Sequence, residues 1–443
     1  MNVRFIISSI IVIGLCSCST NSEKNLFRIQ ENGLYGFIDS LGHVMIEPQY
    51  KYAGSFNDEG YALVISKMTV VNNNVEVQYG YINKENELMI DTNNIFIIRD
   101  ASSELKYTVN NFNKHKLGFK DYYFQLLRLR DGRYVFQDNK TYKFGFKDIK
   151  GDIVIEPQYD RANSFCNGLA VVQKKLHNNV SESVEDNNCW GAINPDGSTA
   201  VKFEYGLIQD FTKEGKTWTT TFYNVDGGRF GCECAQIDKT GKVLIGPVTS
   251  VQHIWNNSSS NIYCASIYHY NKLFNNWYTF IDENGNILTD FNKDGIISVD
   301  FRNGGKAEWY NGITYFSEGR AGIKGFYMDN PAWWFVDEKL KIVSEAYDSV
   351  FSYSEGLAAV KELSSYIGMS PAHWGKWGYI NKKDEVVIPF KFSECESFIN
   401  GLAYFKTEGN TFDIEGYINK SGKCVWQTKR KKDKLDIDNG DIE

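Results

Sequence analysis

Proline is scarce in this chain, 7 residues in 443, and histidine is scarcer still at 6. So little proline excludes a collagen-like or proline-rich protein, and so few scattered histidines suggest no metal centre. Positive charge is short as well: 48 Lys and Arg face 55 Asp and Glu, a net charge of −7. That balance argues against a nucleic-acid partner, because phosphate binding needs a positive surface. The 9 cysteines form no disulfide framework. Past Cys16 and Cys18 they are odd in number and irregularly spaced. Cys232-Glu233-Cys234 is the one close pair, and on a strand both thiols would share a face and fill a core. Helix-period stretches are nearly missing, so little helix is expected. Aromatic residues, by contrast, are plentiful, with 27 Tyr, 29 Phe and 10 Trp. With 42% hydrophobic and 23% charged residues, the composition is globular rather than disordered.

The N-terminus reads MNVRFIISSIIVIGLCSC, one Arg followed by an apolar run from Phe5 to Leu15. That run has the length of a signal-peptide core and is too short to span a bilayer comfortably. Leu15-Cys16-Ser17-Cys18 resembles a bacterial lipobox read in the Cys18 frame, with Leu15 three residues before the cysteine and Ser17 one before it. The resemblance implies cleavage before Cys18 and acylation of its thiol and new amine, giving a lipid anchor in the bilayer; ordinary secretory cleavage is the alternative. The implied location is the cell envelope, with Ser19 resembling outer-membrane sorting, and the side faced is left open. Residues 1–17 are then the signal, 18–27 a polar tether, 28–429 the folded domain and 430–443 a charged tail expected to be disordered.

The chain repeats itself. Gly36-Phe37-Ile38-Asp39 through Ile46-Glu47-Pro48-Gln49-Tyr50 is nearly reproduced by Gly145-Phe146-Lys147-Asp148 through Ile155-Glu156-Pro157-Gln158-Tyr159. Alignment on the Asp or Asn of this motif finds nine units, at 39, 83, 148, 194, 238, 282, 337, 381 and 419. Four of the eight steps are 44 residues, and the two longest mark insertions around 100–135 and 300–315. Trp377-Gly378-Tyr379-Ile380-Asn381 and Trp190-Gly191-Ala192-Ile193-Asn194 carry the fullest form. A second element, an aromatic followed by Gly-Leu-Ala-Val, appears as Phe165 with Gly168-Leu169-Ala170-Val171 and as Phe398 with Gly401-Leu402-Ala403. On these residues the chain resembles the WG repeat family of bacterial β-repeat proteins. The resemblance is strong in units 1, 3, 7 and 8 and poor in units 5 and 6, where Trp-Gly is absent.

Each position has a physical role. Gly-Phe-Ile-Asp alternates with period two, the strand signal. Six units have Gly three residues after the Asp or Asn, which predicts a short hairpin whose last residue takes φ > 0 and whose Asp or Asn side chain closes an Asx turn. Asn86 and Asp384 replace that Gly and tolerate the left-handed region, whereas Leu340 does not, so its hairpin should be longer or distorted. The return strand follows and is expected to end at its Pro. A Leu-Ala-Val strand then completes a unit of about three antiparallel strands, with neighbouring units burying each other's aromatic face. The expected fold class is all-β, built of tandem repeats of roughly 44 residues, either propeller-like or an open β-solenoid.

No nucleophile, zinc or phosphate-loop motif is present, so no catalytic residue, metal or cofactor is assigned. Asp282-x-Asn284-x-Asn286 has a calcium loop's alternating oxygens, but it coincides with the repeat hairpin. Trp190 and Trp377 are read as core anchors. The off-pattern Trp218, Trp255, Trp309, Trp333 and Trp334 are the candidate ligand contacts, with Trp374 and the run Tyr263, Tyr268 and Tyr270 beside them. They place any binding in residues 205–335, where the pattern fails. The expected function is a non-catalytic envelope scaffold for an unknown protein partner. A glycan-binding lipoprotein using exposed aromatics is the alternative, and a hydrolase assembled across repeats the less favoured one. Cys18→Ser is expected to release the protein from the membrane fraction and to abolish the acyl mass increment; retention of the variant in membranes would contradict this.

Overall fold

The computed structural model describes residues 25–98, 106, 109, 127, 129–175, 188–225, 229–249, 251–254, 261–267, 277–286, 288, 313–327, 330–367 and 370–431. Among them, helical geometry is confined to Lys106, Val109 and Leu127, and the rest is strand and turn. The expected all-β repeat class is what is found.

Nine small antiparallel sheets follow one another along the described chain as meanders, one per unit, and a tenth of two strands, Ser365–Ile367 and Ser370–His373, is inserted between the second and third strands of unit 8. Unit 2 shows the full pattern of four strands, Tyr52–Ala53, Tyr61–Val71, Asn74–Asn83 and Leu88–Ile98. Units 4, 5, 8 and 9 repeat it, while units 1, 3 and 6 show three strands and unit 7 two, with bridges alongside. Two expectations are corrected here. The Leu-Ala-Val strand pairs with the Trp-Gly strand that follows it, as in Ala170 opposite Ile193 and Ala403 opposite Ile418, so it opens a sheet rather than closing one. A further strand of only two residues precedes it, as at Tyr52–Ala53 or Glu394–Cys395, and a strand that short leaves no period to read.

The third and fourth strands join through the hairpin the sequence predicts. In eight units one oxygen of the Asp or Asn accepts the backbone N–H groups two and four residues on, at 2.8–3.1 Å. The calcium-like Asp282 is one of them, its carboxylate already committed to the turn. Leu340 corrects the third expectation. It takes φ 58° and donates its N–H to the Asp337 carbonyl at 2.8 Å, so that hairpin has the same length and geometry as the others. Its side chain packs against the core shared with Cys264, Phe316 and Trp334, and that burial offsets the strain of a left-handed Leu. Asn86 and Asp384, at φ 64° and 66°, are bonded from the preceding unit, by Tyr50 Oη at 2.7 Å and Tyr347 Oη at 2.8 Å.

The glycine of Trp-Gly answers a different constraint. Tyr35 pairs with Tyr50 and Phe37 with Ile46, so three residues of the fourth strand, Glu47, Pro48 and Gln49, bulge opposite the single Gly36. The same step opposes Trp377 to Phe392 and Tyr379 to Ile388. A Cβ on Gly36 would stand 2.4 Å from the Ile46 carbonyl oxygen, and one on Gly378 2.7 Å from that of Ile388. The bulge also accommodates the proline, which has no N–H to leave unpaired. The fourth strand therefore runs through its Pro, as Val44–Tyr50 and Val386–Phe392, and does not end there.

Neighbouring sheets bury one another through recurring contacts. The aromatic of one unit's third strand meets the aromatic that leads the next unit's second strand: Phe37 with Phe56, Phe146 with Phe165, Phe335 with Tyr353 and Tyr379 with Phe398, at 4.7–4.9 Å between ring centres. The Tyr of the Gly-Tyr-Ile step donates its hydroxyl to the next unit's backbone, Tyr81 to Leu127 and Tyr379 to Glu396. Hairpin glycines rest on the return strand of the unit before, Gly197 on Ile155, Gly241 on Val201 and Gly422 on Ile388.

Unit 9 makes these contacts to unit 1. Tyr417 donates to the Arg28 carbonyl at 2.7 Å and packs on Phe27 at 5.7 Å, and Gly42 rests on Val425. Phe27, Ile29, Ile38 and Leu402 form one buried cluster across the join. The array therefore closes on itself, which decides between the two architectures in favour of the propeller-like ring. In a meander, alternate connections fall at opposite ends. The connections from first to second strand and from third to fourth strand thus share one face of the ring, and those from second to third strand lie on the other. Lys382 of one hairpin reaching Glu318 at 3.0 Å, and Lys420 reaching Glu355 at 2.9 Å, join the two kinds of turn on the first face. Phe27 pairs with Ile38 beside the Asp39 hairpin, so the chain enters the fold on that same face. The last strand, Cys424–Lys431, carries it away to the opposite face and ends inside the stretch read as tail.

Gly378→Ala is expected to lower stability by about 2 kcal/mol or more, because the bulged backbone cannot retreat. Gly422→Val should cost a similar amount, and Leu340→Gly should stay within about 1 kcal/mol of the wild type as relieved strain offsets lost packing. Thermal melting checks the series; a harmless Gly378→Ala beside a damaging Leu340→Gly would contradict it.

Candidate functional site

A cavity of about 640 Å³ opens on the hairpin face. Its walls come from the turns before the second strand in four successive units: residues 54–61, 129–131, 166–167 and 213. Four successive sheets can share one hollow only where they converge, so it marks the inner edge of the ring. Its aromatic lining is supplied by Tyr52, Phe56, Tyr61 and Tyr81. Tyr81 is fully buried, and burial first, with Tyr79 and Tyr134 adding, pushes its phenol far above the ordinary value.

Most polar groups around the cavity are already engaged between units. The Glu59 carboxylate accepts the backbone N–H groups of Asp131 and Gly132 in the next unit. Asp131 in turn accepts from Gly168 N–H at 2.7 Å, and Asn167 donates to the Phe211 carbonyl at 2.6 Å. Asn57 donates to the Leu129 carbonyl. The same device recurs farther round the ring, where Glu318 accepts Gly356 N–H and Glu355 accepts Gly401 N–H. Burial works against the charge of Glu318, but hydrogen bonds from Lys382 and Gly356 outweigh it and hold its carboxyl below the usual range. Glu318 and Glu355 take φ 53° and 55°, a conformation that Glu rarely adopts and that these bonds stabilise.

Cys166 is the one thiol on the cavity wall. Arg130 Nη1 lies 3.5 Å from its sulfur, yet burial, with Asp210 adding, raises its pKa. A thiol kept protonated is a poor nucleophile. Asp58 and Lys213 stand exposed in the cavity lining. What the arrangement can do is receive a polar, partly charged segment against aromatic rings.

The residues singled out in the sequence scatter. Trp218, 1% exposed, packs edge-on against Tyr263 at 5.4 Å, and Trp334, 3% exposed, sits in the core with Phe316. Both are corrected from ligand contacts to core residues: Trp218 lies on the second strand of unit 5 and Trp334 on the third strand of unit 7, each turned into a buried cluster. Trp333 is half-buried on the sheet surface, with Lys324 Nζ 5.9 Å from its ring centre. Trp374 is 62% exposed. Cys18, Trp255, Trp309, Tyr268 and Tyr270 lie outside the described residues. Cys232 and Cys234 are buried on one strand face as expected, with Thr220 Oγ1 3.6 Å from the Cys234 sulfur. Sequence reading missed Asn57, Glu59, Asp131 and Asn167. For Glu59, Asp131 and Asn167 the signal was an acidic or amide residue just before the turn glycine, as also in Glu318-Gly319 and Glu355-Gly356; Asn57, three residues before Gly60, had no such signal.

The family model described as the WG containing repeat matches five segments, residues 35–65, 144–175, 190–220, 335–364 and 377–410. Each starts in the third strand of unit 1, 3, 4, 7 or 8 and runs into or just past the second strand of the unit that follows, so that only unit 6 lies wholly outside the matches. No curated protein matches. Among solved structures, the chain is similar to a puromycin hydrolase at 9% identity and TM-score 0.32, over 68% of this chain and 52% of that one. It is similar to the Pyrococcus horikoshii acylaminoacyl peptidase at 10% identity and TM-score 0.34, over 83% and 58%. It is also similar to TolB from Acinetobacter baumannii at 11% identity and TM-score 0.23, over 84% and 80%. The chain spans little more than half the length of the first two, and likenesses this low say nothing of its activity.

Proposed function

We propose that the chain is a lipoprotein of the bacterial cell envelope, anchored through acylated Cys18, whose ring of WG-type repeats is a non-catalytic scaffold for a protein partner. One observation carries the scaffold reading. Around the cavity, Asn57, Glu59, Asp131 and Asn167 hold one unit to the next, which makes the centre of the ring a frame rather than a reacting centre. The raised pKa of Cys166 supports the same reading. Exposed Asp58 and Lys213 in the cavity lining suit a polar protein segment, with charge setting orientation and encounter rate. Chain entry lies on the cavity's face, so a partner in the same bilayer fits best. Among the described residues no helix is long and apolar enough to cross a membrane, and the acylated cysteine would supply the attachment. The glycan alternative rests on exposed Trp374 and half-buried Trp333, which lie on different units.

Cross-linking in intact envelopes followed by affinity capture tests this. The charge reversals Asp58→Lys and Lys213→Glu should lower recovery of the partner by about fivefold or more with the melting temperature unchanged. Full recovery from both variants, with loss in Trp374→Ala instead, would overturn the protein-scaffold reading in favour of a site built on exposed aromatics.

A further inference from the structure

The hairpin face carries a repeated feature that neither the packing nor the cavity uses. The fourth strand opens with two adjacent apolar residues that are both exposed: Val44-Met45 in unit 1, Ile153-Val154 in unit 3 and Val386-Val387 in unit 8. Units 2 and 5 do the same. A strand with one buried face alternates, so two exposed apolar residues in succession need a reason. The seam between units begins only at the third residue, the buried Ile46, Ile155 or Ile388, which leaves the first two standing beyond it at the rim. Leu41, at the tip of the first hairpin, is 72% exposed on the same rim. Leu and Val at five separate hairpins form an apolar fringe around one face, not one patch.

The chain's entry point says what lies against it. The first strand, Phe27–Glu31, starts beside the Asp39 hairpin, on the rim itself. Between Cys18 and Leu26 there are eight residue steps, which span at most about 29 Å when fully extended. An acyl chain on Cys18 therefore keeps this rim, rather than the opposite face, close to the bilayer surface.

We infer that the hairpin rim rests on the lipid bilayer, its exposed apolar pairs entering the interfacial region while the opposite face looks away from the membrane. This rests on the anchored reading proposed above. Hairpin-tip charges are mixed, with Lys84 beside Glu85 and Lys383 beside Asp384, so the contact is with apolar and zwitterionic lipid and needs little anionic lipid. It also sets the cavity mouth over the membrane, where a partner in the same bilayer would meet it.

The test uses the full chain without its anchor, Cys18→Ser, in flotation with phosphatidylcholine–phosphatidylethanolamine vesicles. At a large excess of lipid the parent is expected to float with the vesicles in part, through a reversible contact too weak to keep it in a washed membrane fraction once the acyl anchor is gone. A variant combining Val44→Ser, Met45→Ser, Ile153→Ser, Val154→Ser, Val386→Ser and Val387→Ser should lose about tenfold or more in partitioning with its melting temperature kept. Phe412→Ser, at an exposed apolar residue where the opposite face's connection enters its strand, should lose nothing. Val387→Trp should add an emission component that shifts to the blue on vesicle addition, and Phe412→Trp should add none that shifts. A parent that stays with the buffer, a rim variant that partitions like the parent, or equal losses from Phe412→Ser would each overturn the inference. So would rim variants that keep vesicle binding but lose a cross-linked protein. The mass of membrane-extracted protein reads acylation separately, so failure of the anchor and failure of the rim are told apart.

Discussion

A four-stranded sheet of this size cannot bury either of its faces by itself, and everything else in the structure follows from that constraint. Each unit completes its neighbour: the third-strand aromatic finds its partner ring in the next sheet, and the motif tyrosine finds its acceptor there. Because every unit depends on the next, the last needs a partner too. Unit 9 finds it in unit 1 through Tyr417 and Arg28, with Gly42 against Val425. Closure is thus one more instance of the seam that joins the internal units, and it leaves no terminal unit with an uncovered face.

The Trp-Gly motif is the local form of the same constraint. Three residues of the return strand bulge opposite one glycine, bringing backbone so near that a Cβ has no room at Gly36 or Gly378. The bulge turns the following aromatic, Tyr50 in unit 1 or Phe392 in unit 8, back toward the third strand. In unit 1 Tyr50 then reaches the next hairpin at Asn86. A substitution tolerated elsewhere in a strand would here push the paired strands apart and loosen a seam. The inner turns add a second set of bonds, from Glu59 to Asp131 and from Asp131 to Gly168, which ties each unit to the next around the cavity.

Much of this was legible in the sequence because repetition amplifies weak local signals. Nine copies of an Asp or Asn set the hairpins, and Asn86 and Asp384 were readable as left-handed by residue type alone. Leu340 was not, since its hairpin keeps normal geometry through burial against a neighbouring unit, which no local rule contains. The two-residue first strands carry no period, so the phase of the sheets was misplaced by one strand. Trp218 and Trp334 looked free to specialise because they stand off the motif, yet both are buried in cores between neighbouring units. Closure was invisible, because the residues that make it lie 389 positions apart.

The account depends most on that closure. Spin labels carried on non-native amino acids at Leu41 and Lys423, which leave the thiols untouched, allow the distance across the join to be measured by pulsed electron resonance. A closed ring predicts a narrow distribution near about 20 Å, set by adjacent sheets and the label arms. An open array of nine sheets would separate the same positions by about 80 Å, at roughly 10 Å per sheet, and a distribution centred there would contradict the closed ring.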